Sequence, residues 1–189
     1  ALKGRQYVNG LVSTASKGLD IFGNETSTTT DTQYFLLNGK LVTEKATSKT
    51  TSTDVLGNTT ESHSITTYAY NPILKPDGSL KYYVFGAITT ESWSTGTDLY
   101  GGSWGEKNPE IKDQHLYVIQ QYYQVNDKLW VYNYSIGTPG KMITVKLFDS
   151  SGIALKGRQY VNGLVRTTAT GSDIFGNETS TTTDTQYFL

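Results

Sequence analysis

The 189-residue chain has no cysteine and a single methionine. Without thiols there is no disulfide scaffold and no thiolate metal site. No apolar run reaches the length of a membrane-spanning helix, and no signal-peptide pattern is visible, so no membrane insertion is expected in this segment. Charge of neither sign predominates: 16 Lys and Arg stand against 17 Asp and Glu. Nothing therefore draws the chain to nucleic acid or to anionic lipid. Alanine is scarce, and no stretch sustains an apolar period of 3.6 residues, which argues against helices.

What is abundant favours strands. Threonine is about one residue in seven, and tyrosine, at 14, is the leading aromatic. Both suit a half-buried pleated surface, so the chain is expected to be all-β. The strongest positive feature is a repeat. Residues 1–36 return at 154–189 with a constant offset of 153, changed only at Ser13/Arg166, Ala15/Thr168, Ser16/Ala169, Lys17/Thr170 and Leu19/Ser172. Self-similarity at a fixed period marks an array. Residues 1–153 read as one full β-hairpin repeat and 154–189 as the first three strands of the next, within a longer tandem protein.

Turn signals punctuate the sequence. Asn-Gly, whose two residues suit the positive φ of a type I′ hairpin turn, occurs at Asn9-Gly10, Asn38-Gly39 and Asn162-Gly163. Asp-x-x-Gly recurs at Asp20–Gly23, Asp54–Gly57, Asp98–Gly101, Asp149–Gly152 and Asp173–Gly176. There a carboxylate can accept backbone N–H groups while glycine takes the left-handed position that closes the turn. Pro76-Asp77-Gly78, Asn126-Asp127 and Thr138-Pro139-Gly140 mark further turns. Strands are expected near 2–8, 11–19, 24–37, 40–53, 58–70, 80–97, 115–125, 128–136, 141–148 and 153–161. Long strands joined by tight turns make an antiparallel meander of hairpins, forming a tandem-repeat sheet, a sandwich or a β-solenoid. The long irregular connection is 102–114. An odd number of strands per period would reverse successive repeats unless one connection is not a hairpin, and 102–114 is the candidate.

The strands differ in what they can bury. Threonine, serine and charged residues occupy both faces of 24–37 until its last few positions, and 40–67 is similar. Such strands cannot bury enough apolar surface alone. The segment 80–148 has apolar groups on both faces, with Tyr82, Val84 and Ile88 opposing Tyr83, Phe85 and Ala87. The core is expected there, with the Thr-rich hairpins extending from it or packing on the next copy.

Candidate chemistry is sparse. His63 falls in a Thr-rich strand and is expected to face solvent, whereas His115 opens an apolar strand and is expected to be structural. No nucleophile elbow accompanies them, so no enzymatic role is expected. Calcium-loop spacings are missing, so the aspartates read as turn formers and no metal or cofactor is expected. Asn24, Asn58, Asn133 and Asn177 each begin the Asn-x-Ser/Thr glycosylation pattern. Trp93, Tyr100 and Trp104 flank the irregular connection, and loops on rigid scaffolds are where binding sits. Aromatic faces stack on sugars, which makes 99–114 the candidate ligand contact.

One family resemblance follows from short motifs covering about half the chain. Asp54-Val-Leu-Gly-Asn-Thr-Thr60, Thr66-Thr-Tyr-Ala-Tyr-Asn71 and Pro76-Asp-Gly-Ser-Leu80 resemble the YD repeats of Rhs-type and teneurin-type proteins. Phe148-Asp-Ser-Ser-Gly152 is similar to their Tyr-Asp-x-x-Gly element. The resemblance implies long hairpins spiralling side by side on a large secreted or surface protein, and it implies no activity. The expected function is thus a structural repeat of an extracellular stalk or filament, with neighbouring repeats or identical chains as partners. The alternatives are an adhesin module binding a glycan or host protein through 99–114, and a YD-type shell segment.

Overall fold

A computed structural model describes residues 5–7, 11–37, 39–105, 110–125, 128–146, 165–173 and 175–185. Regular structure among them is entirely β. The strands are β1 (Arg5–Tyr7), β2 (Val12–Leu19), β3 (Glu25–Leu37), β4 (Lys40–Thr53), β5 (Thr59–Leu74), β6 (Leu80–Thr97), β7 (Ser103–Gly105), β8 (Leu116–Val125), β9 (Lys128–Thr138), β10 (Lys141–Lys146), β11 (Val165–Ser172) and β12 (Glu178–Thr185). All are hydrogen-bonded into one antiparallel sheet that does not close into a barrel. The expected strand at 153–161, the expected turn at Asn126-Asp127 and the turn residues Asn9, Gly10, Asn38, Asp149, Gly152 and Asn162-Gly163 lie outside the described residues.

Turn chemistry sets the register. β3 passes to β4 across two positions, with Leu37 opposite Lys40 and Gly39 at φ 76°. Pro139-Gly140 joins β9 to β10, where proline pre-sets one turn position and glycine takes φ 77° at the next. β5 runs on through Pro72 to Leu74, past the expected end at 70. A proline is tolerated there because the pairing of β4 with β5 stops at Lys45–Thr67. Beyond that point β5 is an edge, where a missing N–H costs no ladder bond.

The sheet forks at β6. Its end (Thr95–Thr97) pairs with β7, while Ala87–Ser92 pairs with β8 on the same side. From β7 the sheet continues to β11 and β12, and from β8 to β9 and β10. β7 and β8 are both antiparallel to β6, so they run the same way and the link between them is not a hairpin. That is the role expected for 102–114, although Ser103–Gly105 within it is strand rather than irregular chain. The parity problem is thereby solved. The main path from β2 to β11 takes six steps, through β3, β4, β5, β6 and β7, so β11 runs in the direction of β2. The hairpin β11–β12 also has the register of β2–β3 shifted by 153: Val12 faces Thr32 and Leu19 faces Glu25, while Val165 faces Thr185 and Ser172 faces Glu178.

Buried apolar side chains among the described residues are Phe35, Leu37 and Ile136. The core is therefore not confined to 80–148: the end of β3 supplies two of the three, while Tyr82 is 40% exposed. An aromatic cluster forms at the far end of the sheet. Phe35 meets Tyr70 edge-on at 5.4 Å, Tyr70 meets Phe85 at 5.5 Å, and Phe85 meets Tyr122 at 5.0 Å. The Tyr70 hydroxyl donates to the Thr43 carbonyl at 3.0 Å, as a part-buried phenol requires. Through the Thr-rich middle, cross-strand hydroxyl pairs replace apolar contacts: Thr28–Thr50, Thr30–Ser48 and Ser62–Ser94 at 3.0 Å, and Thr66–Thr90 at 3.2 Å. Each contributes about 0.2–1 kcal/mol.

Candidate functional site

Three arrangements carry the chemistry of this surface. The first is a row of turns at one end of the sheet. In each, the aspartate side chain ties its own loop: Asp20 Oδ1 accepts the N–H of Phe22 at 2.8 Å and of Asn24 at 2.9 Å, and Asp20 Oδ2 accepts Asn24 Nδ2 at 2.7 Å. The turns at Asp54 and Asp173 repeat this pattern. The carboxyls of Asp20, Asp54 and Asp173 lie below the usual range, first because of the asparagine side chain and then because of backbone N–H groups. Asp98 makes the backbone contacts alone, because Gly102 stands where the other turns have asparagine. Gly23, Gly57, Gly101 and Gly176 close the four turns at φ between 79° and 89°.

Asparagine also links the first turn to the second and the second to the third. Asn24 Oδ1 accepts the N–H of Val55 at 3.2 Å, and Asn58 Oδ1 accepts that of Leu99 at 2.9 Å. The glycosylation candidates Asn24, Asn58 and Asn177 thus have their amide nitrogens bound to aspartates within turns, and Asn133 Nδ2 donates to Gln121 at 2.9 Å. The apolar pairs between Asp and Gly form an outer ridge: Ile21, Phe22, Val55, Leu56, Leu99, Tyr100 and Phe175 are 59% to 92% exposed. Apart from Tyr100, none of these residues is singled out by the sequence, although an apolar pair recurs between Asp and Gly at 20–23, 54–57, 98–101 and 173–176; at 149–152 the pair is Ser-Ser.

The second arrangement is a ring column on one face. His63 stacks on Trp93 at 4.8 Å, and Trp93 stacks on His115 at 4.2 Å, all within 5° of parallel. Cross-strand register makes the column, because His63 lies opposite Trp93. His63 is therefore part-buried against an indole rather than facing solvent, whereas His115 is fully buried. Each imidazole has a glutamate: His63 Nε2 lies 2.6 Å from Glu61 Oε1, and His115 Nδ1 lies 2.6 Å from Glu91 Oε1. Lys49 is 2.6 Å from Glu61 and Lys112 is 3.3 Å from Glu91. The Glu61 carboxyl is lowered chiefly by its hydrogen bond to Lys49, against an opposing desolvation. Burial is the largest influence on Glu91 and raises it, but His115, Tyr117 and Lys112 together hold it below the usual range. The Tyr117 phenol is pushed up to about 12 by burial and by its bond to that carboxylate. His115 Nε2 is buried with no partner. The column joins β5, β6 and the start of β8 beside the fork, and it clamps that junction.

The third arrangement is a cleft of about 570 Å³ on the other face. Ser48, Thr50, Ser62, Ser64 and Ser94 line one wall, and Thr181 and Thr183 of β12 another. The sheet therefore bends through β7 and β11 until β12 comes over β4 and β5. Among the described residues no carboxylate or ammonium lines the cleft; hydroxyls, the two indoles, His63 and Gln114 do. The Trp104 indole lies over Gly96, where a Cβ would meet it at 2.1 Å, and remains 41% exposed. Trp93 and Trp104 both border the cleft, from register positions on opposite faces. Tyr100 does not line it and belongs to the turn ridge. The structure thus separates the three aromatics that the sequence groups together. No cluster of three or more metal-ligating side chains occurs among the described residues, and no helix is long and apolar enough to cross a membrane.

Comparison with protein-family models, curated proteins and solved structures finds no match.

Proposed function

We propose that this chain is one period, and the opening of the next, of a tandem β-repeat in a long extracellular stalk or filament protein. Its work is mechanical: hairpins add edge to edge, and each repeat covers the sheet edge left by the one before. The observation that carries this reading is the second hairpin. β11–β12 has the register of β2–β3, runs in the same direction and joins the opposite side of the sheet. A surface setting is supported by the thiol-free composition and by a framework of hydroxyl pairs and turns in place of a large apolar core. Proteins of one, two and four repeats test it. Solution scattering should give a particle length that rises by a constant increment per repeat, and a length independent of repeat number would remove the reading. Closed hollow particles in electron micrographs would instead favour a YD-type shell.

A second reading, glycan binding, is supported by the cleft. Hydroxyls with one exposed indole suit a neutral polyhydroxy ligand. Binding on a glycan array that Trp104→Ala abolishes would support it, and an array without signal would remove it.

A further inference from the structure

β2 has an open side. Among the described residues its one strand partner is β3. Its counterpart β11 is paired on both sides, with β12 and with β7, where Gly171 faces Trp104 and Ser172 faces Ser103. Glycine is needed at 171, because a Cβ there would stand 2.6 Å from the Ser103 carbonyl oxygen. The equivalent Gly18 has nothing within 4 Å. A glycine in a strand gives up side-chain packing and is a sign of close backbone approach. Both neighbours differ between the copies, Lys17 against Thr170 and Leu19 against Ser172, while the glycine is the same. Gly18 has the clearance that a docked β7 requires, without a β7 in place.

The opposite edge carries the complementary sign. Asn24 Oδ1 accepts the next turn's N–H from Val55. Asn177 is its counterpart, with Nδ2 bound to Asp173, and no following turn lies beside it among the described residues. β12 thus ends the sheet where β3 meets β4.

We infer that the outer edge of β2 is a docking site for β7 of another copy of this chain, in the β11–β7 register, with Trp104 opposite Gly18 and Ser103 opposite Leu19. The inference rests on the tandem reading and adds to it the location of the joint and its ability to form between separate molecules.

In the intact chain β7 is occupied by its own β11, so the test must release it. Gly171→Val does so in the full-length protein, and Gly171→Ala, which adds only the clashing Cβ, is the milder release if the valine perturbs folding. Either variant should self-associate head to tail, shifting in sedimentation velocity from monomer to a concentration-dependent series of dimers and larger species. Adding Gly18→Val should return it to monomer. The natural absence of cysteine lets register be read directly. In the released background, Leu19→Cys with Ser103→Cys should give a ladder of disulfide-linked multimers on oxidation, and Ala15→Cys with Ser103→Cys should give none. The docking site is overturned if both released variants keep their strand circular dichroism and stay monomeric. It is also overturned if Gly18→Val does not suppress association, or if the two cysteine pairs cross-link alike. Particle length failing to grow with repeat number, with cross-linking intact, would remove the stalk and keep the joint; the reverse would remove the joint alone.

Discussion

The hairpins β2–β3 and β11–β12 are nearly the same sequence in two settings. Their turns, registers and aspartate–asparagine locks agree, so these belong to the local sequence. Their neighbours differ. In the first copy β3 is covered by β4 over thirteen cross-strand pairs, and its end reaches the aromatic cluster. In the second, β11 meets β7 over two pairs. The comparison teaches that the hairpin is specified by itself, while its stability is lent by whichever strand lies alongside.

The largest effect should come from breaking the first copy's better anchorage. Phe35 is 1% exposed among aromatic rings, and Phe35→Ala should cost about 3–5 kcal/mol, read as a fall in the denaturation midpoint. A change under 1 kcal/mol would mean that the cluster is not what holds β3.

Next is one substitution made in both copies. Gly171→Val should cost about 1–3 kcal/mol by overpacking against β7 and speed amide exchange across β11–β12. Gly18→Val, in open space, should leave stability unchanged. Equal effects would end the claim that neighbours distinguish the copies.

Asparagine sharpens the contrast further. Asn24→Ala removes bonds to Asp20 and to Val55, a loss of about 1–2 kcal/mol. Asn177→Ala removes a bond to Asp173 without a link to a following turn, and should cost about half as much. Thermal melts of the two variants give the ratio.

Acid should have the smallest effect, and should spare the comparison itself. Glu91 has a lowered pKa in the folded state, so its contribution is present above the unfolded carboxyl range and lost as pH falls through the folded value. From the unfolded carboxyl range down through the folded value the melting temperature should fall, and Glu91→Gln should flatten that slope. Amide exchange should localise the loosening to the fork at β6 and β8 rather than to either hairpin. An unchanged slope in Glu91→Gln would show that another carboxylate governs the acid limb.

Much of this architecture was readable from residues alone, where the determinants are local. Asp-x-x-Gly and Asn-Gly fix turns within four or five positions, so β2, β3, β4 and β6 begin and end within a residue of expectation. The fork was not readable, because one strand divides its pairing between partners far apart in the chain. β7 escaped notice because three residues among glycines carry no alternation. The core extends beyond the expected 80–148 because Phe35, at the end of a Thr-rich strand, packs on Tyr70, which in turn meets Phe85 of the next strand. The His63 stack on Trp93 depends on register between residues thirty apart, which no local spacing reveals. Glu61-x-His63 and Glu91-x-Trp93 do place each pair on one face of its strand, and that alternation was the available signal.

Gly102 stands where the other turns carry asparagine, and with it the side-chain stitching stops after the third loop. A cable of such units would not be uniformly compliant. Under shear, load on the proposed array would concentrate at the short β11–β7 ladder, where the stitch is missing, and would spare the better-braced hairpins on either side.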